Sequence, residues 1–113
     1  MALSLALVFA SASGWAQISP FGRSSGSLSK EDWAALQAAR AEVLAGAAAA
    51  GARKTWSNPK SGNSGTIVII DSLGLDGMDC RSVRYDFSLR TKPRNTTYLV
   101  HECKTADGSW KLL

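Results

Sequence analysis

The chain has 113 residues, enough for one domain, and its 45% hydrophobic and 19% charged residues exclude wholesale disorder. Thirteen Lys and Arg against nine Asp and Glu leave a net charge of +4, spread too thinly for the basic stripe of a nucleic-acid binder. One His and two Cys exclude a zinc finger, an iron–sulfur cluster and any site built from several imidazoles.

In chain order, residues 2–12 (ALSLALVFASA) are an uncharged apolar run, and Gly14-Trp15-Ala16 follows with small residues at the −3 and −1 places. This layout predicts a signal peptide over residues 1–16, too short to span a bilayer, so an exported chain without a transmembrane helix is expected. A buried N-terminal helix is the alternative. No Cys lies beside the cleavage point, so lipid attachment through an N-terminal cysteine is not expected. Residues 17–27 (QISPFGRSSGS) are aperiodic and rich in Ser and Gly, which predicts a flexible leader. A single domain is expected over residues 28–113.

That domain opens with a helix over about 29–50. Ser29 is a capping residue, Glu31 and Asp32 place negative charge in the first turn, and Leu28 is positioned to staple onto Trp33. Trp33, Leu36, Val43, Leu44 and Ala47 recur at helical spacing, and Gly51 marks the expected end. The stripe is thin and Ala-rich, suited to close packing on a sheet.

Sheet is expected over about 54–112. Residues 54–57 predict a first strand stopped by Asn58-Pro59, and residues 60–65 (KSGNSG) read as turn throughout. Ile67 to Ile70 form a β-branched run without a polar face, predicting a central strand, and residues 71–79 read as loop. Val83, Tyr85, Phe87 and Leu89 then alternate with polar residues, and residues 96–104 pair with them as a hairpin. Placing Cys80 opposite Cys103 sets Arg81 against Glu102, Val83 against Val100 and Tyr85 against Tyr98. Each pair is chemically sensible, and a one-residue slip would break them all. Residues 106–109 predict a tight turn into a terminal strand over 110–112. The fold class is therefore α+β: one N-terminal helix on an antiparallel sheet of four to five strands.

An even cysteine count in an exported chain, at facing strand positions, predicts a Cys80–Cys103 disulfide. It would close a loop of about 24 residues and contribute roughly 3 kcal/mol in the chain-entropy account. A redox pair would require CxxC spacing, which is absent. His101 faces Ser82, but two facing strand residues lack the orienting carboxylate and oxyanion hole of a triad. Asp71, Asp76 and Asp79 miss the EF-hand spacing and read as an acidic loop. The KSGNSG turn lacks the ending of a P-loop. No catalytic, metal or cofactor residue is identified, and no enzymatic activity is expected.

The block Trp56-Ser57-Asn58-Pro59-Lys60-Ser61-Gly62-Asn63-Ser64-Gly65, followed by Cys80-Arg81 and by Cys103 ahead of Asp107-Gly108-Ser109-Trp110, resembles the C-terminal domain of the bacterial seventeen-kilodalton outer-membrane surface antigen family. The resemblance covers about half the chain. It implies a small β domain of the cell envelope, without established enzymatic activity and without ligand residues to carry over. The family antigen resembles a lipoprotein with a glycine-zipper segment, whereas an Ala-rich helix stands at that place here. Soluble periplasmic residence is thus expected as readily as outer-membrane association.

The reading that follows is a non-enzymatic envelope protein acting by contact with another protein, a glycan or an outer-membrane component, with no cofactor and no nucleic acid. Its candidate contact surface is Trp56 and Trp110 beside turns, and the basic tip Arg90, Lys92 and Arg94. The alternative for the two tryptophans is packing of the sheet against the helix. The alternative function is a secreted inhibitor of a hydrolase.

Overall fold

The computed structural model describes residues 27–46, 49–91 and 95–113. The expected signal peptide 1–16, the leader up to residue 26 and the tip cations Lys92 and Arg94 lie outside the described residues.

Helix α1 spans Lys30–Ala45. Ser29 caps it: the hydroxyl accepts from the Asp32 N–H at 3.1 Å, and the Ser29 N–H donates to Asp32 Oδ2 at 2.9 Å. Asp32 thus completes a reciprocal capping box, a place more often held by Glu or Gln. The helix ends at Gly46, five residues before the expected stop at Gly51. Gly46 leaves the helix in an extended conformation, and further on the Gly51 N–H donates to the Ile69 carbonyl at 2.7 Å and the Ile69 N–H to the Ala52 carbonyl at 2.8 Å. Those residues are already bound to a strand and are not free to continue the helix.

Five strands follow, β1 Arg53–Asn58, β2 Asn63–Leu75, β3 Met78–Ser88, β4 Thr96–Lys104 and β5 Trp110–Leu112. They form one antiparallel meander in the order β1-β2-β3-β4-β5, curled around α1. Cys80 pairs with Cys103, Arg81 with Glu102, Val83 with Val100 and Tyr85 with Tyr98, the register expected from the cysteines. The bridge itself is formed, with Cα atoms 4.0 Å apart.

Two corrections concern β2. Residues 71–75, expected as loop, continue the strand to Leu75, which pairs with Met78 across the two-residue turn Asp76-Gly77. Both turn residues have positive φ, 51° and 77°, the signature of a type I′ hairpin whose twist matches the strands. Residues 63–65, expected as turn, already belong to β2. A register shift between Ile69 and Asp71 moves Ile70 out to 38% exposure, while Ile67, Val68 and Ile69 stay buried.

The inner face of the sheet holds the core. Leu36, Ala39, Val43 and Leu44 of α1 pack with Trp56, Ile67, Ile69, Val83, Tyr85, Phe87 and Leu89, and half-buried Leu28 and Trp33 flank them. Full burial of each large apolar side chain stabilises by about 1.5–3 kcal/mol. The outer face is polar where Thr55, Thr66, Asp86 and Thr97 lie in one row across four strands.

Candidate functional site

The block around Trp56 and Gly65 closes the first hairpin onto the start of the helix. Asp32 is fully buried, and its carboxylate accepts from Asn58 Nδ2 at 2.8 Å, Ser61 Oγ at 2.7 Å and Asn63 Nδ2 at 2.8 Å, besides the Ser29 N–H. Burial alone would raise its pKa. The hydrogen bonds from Ser61, the Ser29 backbone, Asn63 and Asn58 outweigh that and hold it at about 2. Asn63 also accepts from the Arg90 N–H at 2.8 Å, so one amide ties the helix start to the end of β3.

Gly62 adopts φ +78°, which L side chains rarely adopt. A Cβ on Gly65 would lie 2.5 Å from Trp56 Nε1 and 2.6 Å from the Asp86 carbonyl oxygen, so the indole packs where any side chain would clash. Trp56 is 5% exposed and meets the Phe87 ring edge-on at 6.2 Å between centroids. It is therefore removed from the candidate contact surface and assigned to the core, where an indole beside glycine fills the sheet.

At the other end of the helix a second buried carboxylate organises the fold. Glu102 is 0% exposed, and Arg40 of α1 reaches it with both Nε, at 2.7 Å, and Nη2, while the Tyr85 hydroxyl donates to its other oxygen. Arg40 Nη2 also donates to the Trp110 carbonyl at 3.1 Å, fastening β5 to the helix. Removing Glu102 from water costs several kcal/mol, which these charged and phenolic donors offset. Burial, then the Glu102 charge, push the Tyr85 hydroxyl pKa well above the ordinary tyrosine value, so it remains a donor.

Arg81 stands across from Glu102 in register, yet it does not pair with it. Its Nη1 bonds Asp79 and, at 3.1 Å, the Cys80 carbonyl, and its guanidinium lies over the Trp110 ring, 5.0 Å from the centroid. The curl of the sheet places Glu102 under α1, where Arg40 occupies it first. Sequence reasoning missed Arg40 because 62 residues separate it from its partner.

These groups border a cleft of about 410 Å³ between the second half of α1 and the β3–β5 end of the sheet. Arg40, Leu44, Asp79, Arg81, Lys104 and Trp110 line it. Trp110, half-buried under Arg81, keeps its place among the candidate contact residues. Arg90 is exposed just beyond β3, apart from this cleft, so the structure does not join Trp56, Trp110 and Arg90 into one surface. His101 does lie across from Ser82, and Asp71 lies across from Ser82 on the far side. That order, with Ser between Asp and His, is wrong for an imidazole oriented by a carboxylate. Asp79 is held by Arg81 and Asp76 forms the turn, so the three aspartates of the acidic stretch serve separate purposes.

No curated protein and no solved structure matches the chain. The family model described as 17 kDa outer membrane surface antigen matches residues 43–111, from the last turn of α1 into β5; the match includes both disulfide cysteines and the Trp56–Gly65 block but neither Asp32 nor Arg40. The chain belongs to the 17 kDa outer membrane surface antigen family.

Proposed function

We propose that the protein is a non-catalytic contact domain of the bacterial cell envelope, exported to the periplasm or the outer membrane, that binds an anionic envelope component at the α1/β5 cleft. The family name supports the compartment. One observation carries the non-catalytic reading: both fully buried carboxylates are occupied, Asp32 by four donors and Glu102 by Arg40 and Tyr85, while both cysteines are bridged. General acid–base chemistry requires a group that is placed and still available for proton transfer. The cleft instead presents Trp110 and Arg81, residue types favoured at contact surfaces; Arg40 is held by Glu102 and Arg81 by Asp79, so Lys104 is the lining cation left for an anion.

Cosedimentation with anionic lipid vesicles and with peptidoglycan sacculi tests this. Lys104→Glu is expected to weaken binding about tenfold, equivalent to about 1.4 kcal/mol. Binding unchanged by Lys104→Glu but lost when Arg90, Lys92 and Arg94 become Ser would move the contact to the basic tip. Binding to neither material sinks the proposal.

A further inference from the structure

The two edges of the sheet are unlike. Edge strand β1 carries Arg53 and Lys54, runs into Pro59 and has Lys54 paired with Glu42 of α1 at 2.9 Å. Charge, proline and helical cover are the usual protections of an edge. The other edge is shared. β5 is three residues long and pairs only with Glu102, Cys103 and Lys104, after which the Leu113 N–H reaches the His101 carbonyl at 3.0 Å. Among the described residues, no strand lies beside β4 over residues 96–100 on that side.

Strand parity fixes which backbone groups face outward there. The His101 carbonyl points away from β3, because Leu113 takes it, so His101 and Ser82 form a pair without mutual hydrogen bonds. The 4.0 Å Cα separation of Cys80 and Cys103, two residues on, agrees with that class of pair. Thr97 and Leu99 share this parity and direct their N–H and C=O groups to the open side. The stretch Thr-Thr-Tyr-Leu-Val has high β propensity, no charge, no proline and no bulge, and the Leu99 side chain is 65% exposed.

We propose that this open half of β4 is a strand-addition edge whose occupant is the same stretch of a second copy, paired antiparallel about Tyr98. For a second copy, the outward groups fix the register. A two-fold axis at Tyr98 sets Thr97 against Leu99 of the copy and Leu99 against Thr97, so two donors and two acceptors from each chain make four hydrogen bonds without remainder. Moving the axis to Leu99 sets Thr97 against His101, whose carbonyl Leu113 already holds. Moving it to Thr97 sets Leu99 against Asn95, outside the strand. No charged residue falls within the paired stretch, so two copies of this +4 chain meet there without like charges opposed. Each Leu99 side chain then lies beside Thr97 of the other copy on the outer face, and the two meanders form one continuous sheet.

Amide hydrogen exchange and sedimentation equilibrium of the purified protein across concentration test this together. In the monomer the Thr97 and Leu99 amides exchange freely, whereas Tyr98 and Val100, bonded to β3, are protected. As the dimer mass appears, protection at Thr97 and Leu99 rises by about tenfold or more. Thr97→Pro removes a backbone donor that β3 does not use, together with the exposed Thr97 Oγ1 bond to Asp86 of β3, whereas Leu99→Lys only adds an edge charge. Both are expected to abolish the dimer and leave the Tyr98 and Val100 protection of the folded monomer in place. A monomer at every concentration overturns the proposal, as does a dimer in which Thr97 and Leu99 stay unprotected. Protection already present in the dilute monomer overturns it in favour of cover by the chain itself, and protection seen only with an added polypeptide assigns the edge to a foreign strand.

Discussion

Asp32 and Glu102 are both fully buried carboxylates near opposite ends of one helix, and they are stabilised by unlike means. Asp32 sits in the first turn of α1 among uncharged donors, with the positive end of the helix dipole added. Glu102 comes from a strand and is held by a guanidinium and a phenol. A carboxylate at a helix start is accommodated by neutral amide and hydroxyl donors together with the helix dipole, without a countercharge. One brought in from a distant strand requires a full countercharge, and its stability depends on that one partner.

The largest test of this difference removes the countercharge. Arg40→Ala leaves Glu102 buried and unpaired, and thermal or urea unfolding is expected to register a loss of about 3–5 kcal/mol. Replacing the pair together, Arg40→Met with Glu102→Leu, is expected to recover most of that; a double variant as unstable as the single one would break the account. The disulfide ranks next. Cys103 neighbours Glu102 and its bridge spans 23 positions, so Cys80→Ser with Cys103→Ser is expected to cost about 3 kcal/mol in urea unfolding.

Asp32→Asn is the smallest of the three and the most diagnostic. Because folding depresses the Asp32 pKa from 3.8 to about 2, its stabilisation is complete above about pH 4 and is lost as pH falls toward 2. A shift of that size corresponds to about 2 kcal/mol at neutral pH. The Asn variant is expected to be less stable by about that amount at pH 7 and to lack this part of the acid decline. An unchanged decline in the variant would place the acid sensitivity elsewhere.

The same contrast explains what the sequence reveals. The cap is legible because Ser29, Glu31 and Asp32 are neighbours in the chain, and the β3–β4 register is legible because four chemically matched pairs align at once. The lower half of β2 is less legible. Leu73 and Leu75 alternate with exposed Ser72 and Gly74 there, but both are only half-buried and Asp71 follows the run Ile67 to Ile70, so the alternation is too short to separate a strand from a loop. The turn signal Asp76-Gly77 is present, but Gly74 and three aspartates within nine residues also suit a loop. Both carboxylate centres depend on partners 26 to 62 positions away, and only the curl of the sheet around the helix brings these together.

The meander also governs how the chain reaches this state. Every strand pairs with its neighbour in sequence, so β hairpins can close one at a time over short loops, without a crossover to await. Local pairing of this kind favours rapid folding, since little loop-closure entropy is lost before contacts form. The Arg40 contacts to Glu102 and to the Trp110 carbonyl span 62 and 70 positions and tie the far end of the sheet back to the helix. A polypeptide emerging amino end first would present each strand directly after the one it pairs with, so that every hairpin partner is already at hand when the next strand appears.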